Sequence, residues 1–195
     1  MEATQTLMQE HRVIERVLAA LETAAKRLNA GEAPSPVIFL QAADFIRGFA
    51  DGCHHKKEEG VLFPAMQSAG VPREGGPIGV MLAEHERGRQ LTSTMRAAAE
   101  RLQAGDLDAR SELVRSALDY IALLRQHIAK EENVLFRMAE QTLQGPDKEA
   151  LSEAFARVER EETGEGVHER FLALAASIER QVAELRHPPA EEIGP

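Results

Sequence analysis

Apolar positions recur along this chain at alternating steps of three and four, the spacing of one face of an α-helix. Leu7, His11, Ile14, Leu18, Leu21, Ala25 and Leu28 form the first such stripe, which stops at Asn29-Ala30-Gly31. Ser35 and Pro36 then supply a cap and a first-turn proline for a second helix, expected from about Pro36 to Ser68. Its inner face is traced by Ile46, Ala50, His54, Glu58, Val61 and Ala65, with a kink or early end expected at Phe63-Pro64. The glycine- and proline-rich run from Ala69 to Pro77 is a loop.

A third stripe follows in Ile78, Met81, His85, Gly88, Thr92, Met95, Ala99 and Leu102, ending at Gly105. Asp106 or Asp108 caps a fourth, carried by Leu113, Ala117, Tyr120, Leu124, His127, Glu131, Val134 and Met138 and closed by Gly145-Pro146. Leu151, Phe155 and Val158 begin a fifth helical stretch. Thr163-Gly164-Glu165-Gly166 interrupts it, and His168, Phe171, Ile178, Val182 and Leu185 resume it. No strand pattern appears. The expected fold is all-α: an up-down-up-down four-helix bundle over residues 1–145, a broken C-terminal helix over 146–187 packing on it, and a disordered tail over 188–195.

Composition agrees with this reading and narrows the function. The 195 residues carry a net charge of −9 and are only 4% aromatic. An acidic chain is a poor partner for nucleic acid, whose phosphates need basic patches. Its apolar runs are too short for a membrane span, and Met1-Glu2-Ala3-Thr4-Gln5 does not begin a signal peptide. The single cysteine, Cys53, suits a reducing compartment, so the expected location is cytoplasmic.

Each of the four stripes contains a histidine where an apolar residue belongs. One buried imidazole is ordinarily a satisfied core residue. Four on four helices, joined by Glu58 and Glu131, are costly to bury unless they share a cation. His54 and Glu58, like His127 and Glu131, stand four apart and so share a helical face. The segments 54–63 and 127–136 align without gaps and agree at seven of ten positions, which suggests two related helical hairpins. Imidazole with carboxylate suits iron, manganese or zinc rather than calcium or magnesium. Ferritin-like centres place the carboxylate first and the histidine three later. Here the order is histidine first, four apart.

The pattern His11 … His54-x-x-x-Glu58 … His85 … His127-x-x-x-Glu131 resembles that of hemerythrin-like (HHE cation-binding) domains, as do Glu58-Glu59-Gly-Val-Leu-Phe-Pro64 and Met81-Leu-Ala-Glu-His85-Glu. The resemblance covers about residues 5–140. It implies two non-haem iron ions, oxo- or hydroxo-bridged, with His11, His54, His85 and His127 as terminal ligands and Glu58 and Glu131 as bridges. The implied function is capture of dioxygen, nitric oxide or peroxide for sensing, storage or delivery, in concert with a separate signalling or redox partner protein. The alternatives are a di-iron enzyme, reducing such ligands or repairing iron–sulfur centres, and a metal-stabilised bundle or iron buffer.

One departure matters. Oxygen-carrying members have a fifth histidine four residues after the position of His85, where this chain has Arg89. Either one iron keeps a water or an open position there, or another residue fills it, for which there are two candidates. His168 follows the glycine break and is added to the expected metal set, although a surface or capping role fits it equally. His55 also fits an ordinary helix flank. Glu162 and Glu165 are weaker candidates, and His187 reads as a tail residue. Cys53 reads as a small boundary residue, Tyr120 as core, Glu15 as a group able to orient an imidazole, and Lys56-Lys57 as solvated or as partners of the ligands. The acidic run from Glu159 to Glu165 reads as solvent-facing.

Overall fold

The computed structural model describes residues 3–164 and 166–186, excepting the side chains of 162, 163 and 186. The expectations for Glu165, His187 and the 188–195 tail, and for the Glu162 side chain, fall outside that description. Among the described residues there is helix and no strand. Helix α1 spans Ala3–Asn29 and α2 Pro36–Phe45. A π-helical stretch (Ile46–His55), a second (Glu58–Leu62) and α3 (Phe63–Ser68) follow α2. Next come α4 (Pro77–Gln103) and α5 (Ala109–Lys130), the latter extended by a π-helical stretch (Glu131–Leu135) and α6 (Phe136–Thr142). The chain ends in α7 (Gly145–Arg157), a π-helical stretch (Val158–Thr163) and α8 (Val167–Arg186). No described helix is long and apolar enough to cross a membrane.

The helix boundaries follow local chemistry. Ser35 accepts a hydrogen bond from the Val37 amide at 3.3 Å, and Pro36 occupies the first turn of α2. Gln144 and Asp147 close a capping box on α7. Gly164, with φ of 95°, makes the expected break before α8.

Pro64 stands in the first turn of α3. The turn before it widens to a π-helix, and the equivalent turn at Glu131–Leu135 widens too, although Arg137 stands where Pro64 does. The widening therefore belongs to the shared Glu-Glu-x-Val-Leu segment and not to the proline. A π turn consumes one extra residue, so the buried face slips by one. Leu62 and Met66 are buried where Val61 and Ala65 were expected; Leu135 and Ala139 take the places of Val134 and Met138. Val134 is half exposed.

Packing runs from α1 to α5, α5 to α4, α4 to α2 and α2 back to α1, with α8 lying against α1 and α2. Two apolar clusters result. One gathers Ile14, Leu18, Phe39, Phe49, Met95 and Leu124 with Ile178 of α8, the other Leu7, Phe63, Met81, Phe136, Leu151 and Phe155. The four stripe histidines fall between them. Arg16 holds Glu179 of α8 through Nε at 2.9 Å.

Phe171 of α8 seats its ring directly over Gly48, where an added Cβ would lie 1.9 Å from the ring. Gly48→Ala gains helix propensity of about 1 kcal/mol but overlaps that ring, so we expect a net loss of about 1–3 kcal/mol in chemical denaturation. Adding Phe171→Ala removes the overlap. The double variant should therefore lose less than the sum of the two single variants.

Candidate metal centre

His11 of α1, His54 and Glu58 of the two π-helical stretches after α2, His85 of α4, His127 of α5 and Glu131 of the π-helical stretch that extends it are all buried and converge in one layer. Their ligand atoms form two groups. His11, His54 and Glu131 make one; His55, Glu58, His85 and His127 make the other, each set lying within 4.8 Å. The two glutamates span both groups. Glu131 lies 3.1 Å from His11 Nε2 and 2.9 Å from His127 Nε2, and Glu58 lies 3.7 Å from His54 and 3.4 Å from His85.

His55 completes the second group. It is buried, its ring stacks on His85 at 3.8 Å, and its Nε2 has no hydrogen-bond partner. His168 is not brought into either group; its ring packs against Phe49, 5.4 Å between centroids. Of the two candidates for a fifth imidazole, the structure brings His55, and not His168, together with the other four. In a regular α-helix successive residues diverge by about 100°, which hid His55 behind His54. The π-helical stretch Ile46–His55 turns both inward.

Every one of the five imidazoles donates its Nδ1–H to a carboxylate: His11 to Glu132 (2.9 Å), His54 to Glu10 (2.9 Å), His55 to Asp51 (2.9 Å), His85 to Glu59 (2.8 Å) and His127 to Glu84 (2.9 Å). These bonds fix each Nε2 as the inward lone pair. Four of the carboxylates sit beside a ligand in sequence, in Glu10-His11, Glu58-Glu59, Glu84-His85 and Glu131-Glu132. The sequence reading passed over these four, and that adjacency is the signal that could have found them. Cations hold them in turn: Arg12 on Glu132, Lys57 on Glu10, Lys130 on Glu84, and Arg89 on Glu59 at 2.5 Å and Asp51 at 3.5 Å. Arg89, in place of a ligand, steadies the carboxylates of His85 and His55. Glu15 pairs with Arg125 instead of an imidazole.

The inward atoms suit a cation. His11 and His54 bring their Nε2 atoms to 3.0 Å, and so do His85 and His127. Two nitrogens bound at right angles to one cation at about 2.1 Å stand about 3.0 Å apart. Among the described residues, with the inward Nε2 atoms unprotonated, the buried polar side-chain atoms without a hydrogen bond are the four oxygens of Glu58 and Glu131 (Oε1 and Oε2 of each), His55 Nε2 and the Tyr120 hydroxyl. All but the last face this layer, and a cation would satisfy them. Tyr120 lies in the core as expected, against Gly88. Phe136 and Phe63 stack on His11 and His85, at 5.6 and 6.0 Å.

A family model for the hemerythrin HHE cation-binding domain matches residues 2–139. The chain belongs to the hemerythrin HHE cation-binding family. Proteins described as uncharacterized from Mycobacterium bovis and Mycobacterium tuberculosis are 29% identical to it over 181 residues, covering 92% of this chain and 70% of theirs. No solved structure matches it. Metal binding is the function this membership and the buried His/Glu clusters establish.

Protons stand in for the metal in a metal-free HHE layer. Burial pulls His127 down, but the charge and hydrogen bond of Glu131, with Glu84 and Glu58, outweigh it and push its pKa up to about 10. His11 and His85 are raised in the same way by their glutamates, against burial. Burial would raise Glu131, yet the charge of His127 and the bonds from His11 and His127 hold it well below the usual carboxylate range. His55 is pushed well down, by burial first and then by the charges of His85, His54 and His127.

Metal must therefore displace protons. We expect uptake at pH 7 to acidify a weakly buffered solution, and affinity to climb as pH rises toward about 10. A pH-independent affinity would contradict this. Because the folded pKa of His127 lies above its unfolded value, its stabilisation is complete below about pH 6.5 and fades through about 10. The melting temperature of metal-free protein should fall over that interval, and that of loaded protein should fall less.

Proposed function

We propose that the two groups hold two iron ions bridged by Glu58 and Glu131, within an up-down-up-down bundle over residues 1–145 that carries the 146–187 segment as an extension. The packing circuit of α1, α5, α4 and α2 supports that arrangement. When bound, the iron pair supplies a redox-active centre able to take up dioxygen, nitric oxide or peroxide. The reading favoured here is capture of such a ligand for sensing, storage or delivery.

One observation carries it. The halves of the chain correspond at His11 and His85, His54 and His127, Glu58 and Glu131, and Glu10 and Glu84, but His55 and Asp51 are matched by Ile128 and Leu124. The His11–His54 group is consequently one imidazole short of its neighbour, and buried Ile128 lies where the counterpart would be. A purely structural pair of sites has no need of that inequality. A site that receives a small ligand does.

Reduced, iron-loaded protein exposed to air should develop a visible band that disappears on removing oxygen. Irreversible oxidation with turnover of peroxide would favour the enzymatic alternative. Ile128→His should retain iron and lose the reversible band. His55→Ala should lower iron below the roughly two per chain of a two-metal site, while His168→Ala should leave it unchanged; the opposite pattern would overturn the ligand assignment.

A further inference from the structure

Lys57 is fully buried, although a lysine ammonium is rarely taken out of water without partners. Its Nζ contacts Glu10 and lies 2.6 Å from Glu159 Oε1. Glu10 is itself buried, accepts from His54 Nδ1 at 2.9 Å, and has the Cys53 thiol 3.9 Å from its Oε1. Glu159 belongs to the π-helical stretch Val158–Thr163, beyond residue 139, where the family match ends. Glu159 is partly exposed, its side chain 41% accessible, and turns one carboxylate oxygen onto the buried ammonium. The cluster of Glu10, Cys53 and Glu159 has the makings of a third cation site. The Lys57 ammonium already contacts both its carboxylates.

The other half of the chain has no such addition. Lys130 contacts Glu84, which holds His127, but the Lys130 side chain is 42% exposed and water screens it. Lys57 has no water to share its charge. With Glu10 as its one anionic partner, it would draw density from the carboxylate that His54 relies on. A second carboxylate opposite offsets that pull and leaves Glu10 a full acceptor for the His54 N–H.

We propose that Glu159 is a positioning residue of the metal centre: through Lys57 and Glu10 it strengthens His54 as a donor and ties the C-terminal segment to occupancy of the His11–His54–Glu131 group. This rests on the two-metal reading above. By linkage the coupling runs both ways, so metal at that group also holds the segment in place.

The test is anaerobic titration of the full chain with ferrous iron, comparing wild type, Glu159→Gln and Glu161→Gln, whose exposed carboxylate makes no contact with this relay. Glu159→Gln should weaken one of the two binding steps by roughly tenfold, the scale of such outer partners, and leave the other as it was. Loss of a negative charge should also raise the midpoint potential of the loaded centre. Glu161→Gln should change neither. In wild type, iron should slow amide exchange across residues 158–163, and in Glu159→Gln it should not. If Glu159→Gln keeps both steps and the potential, or loses both steps together with its helicity, Glu159 is only a docking contact and the proposal falls. If wild type itself fails to bind two irons, the centre has been misread, an outcome distinct from a selective failure at Glu159.

Discussion

Two carboxylates and five imidazoles in the middle of a helical assembly cannot be buried on their own terms. Each Nδ1–H goes outward to a carboxylate, which leaves five nitrogen lone pairs facing four carboxylate oxygens. Lone pairs facing lone pairs repel, and in a dry interior the repulsion is little screened. A shared cation, or protons in its absence, relieves that repulsion and links the helices that carry these side chains. Much of the surrounding architecture serves this requirement. The apolar clusters on either side exclude water, Phe63 and Phe136 brace two of the rings, and the outer carboxylates are neutralised by Arg12, Lys57, Arg89 and Lys130.

The π-helical stretches are part of the same solution. Carrying two inward histidines in succession, and then a glutamate one turn later, is beyond a regular α-helix, whose 100° step sends neighbours to different faces. Widening the turn permits it and shifts everything downstream by one residue. The turn at Glu58–Leu62 recurs before α6 at Glu131–Leu135, but the stretch Ile46–His55 that carries the paired histidines does not: the equivalent residues, 119–128, lie in the regular helix α5. His55 and Asp51 occupy one half, Ile128 and Leu124 the other.

The four stripe histidines and both glutamates were legible because their spacing is that of a helical face, and a polar residue on an apolar stripe stands out. The five helical stretches and the glycine break at 164 were legible from the same periodicity and from Ser35, Pro36 and the glycines. His55 was not, because the rule that exposed His54 places residue 55 on the flank. Val134 failed for the same reason: the extra residue in the π turn moved Leu135 into its place. His168 looked inward by its distance from Phe171 and does lie against Phe49, but it joins neither group of ligand atoms. Lys57 and Glu159 resembled solvated charges. Only the fold brings the C-terminal segment over a lysine that has no other access to water.

The proposed centre is two metals sharing carboxylates, with imidazoles divided three and two. X-ray absorption spectroscopy of the iron-loaded protein measures this most directly. The predicted result is a metal–metal vector of about 3–4 Å with imidazole scattering at an average of about two and a half rings per iron. Isolated iron with no metal–metal vector, or a set of oxygen ligands without imidazole, would contradict it.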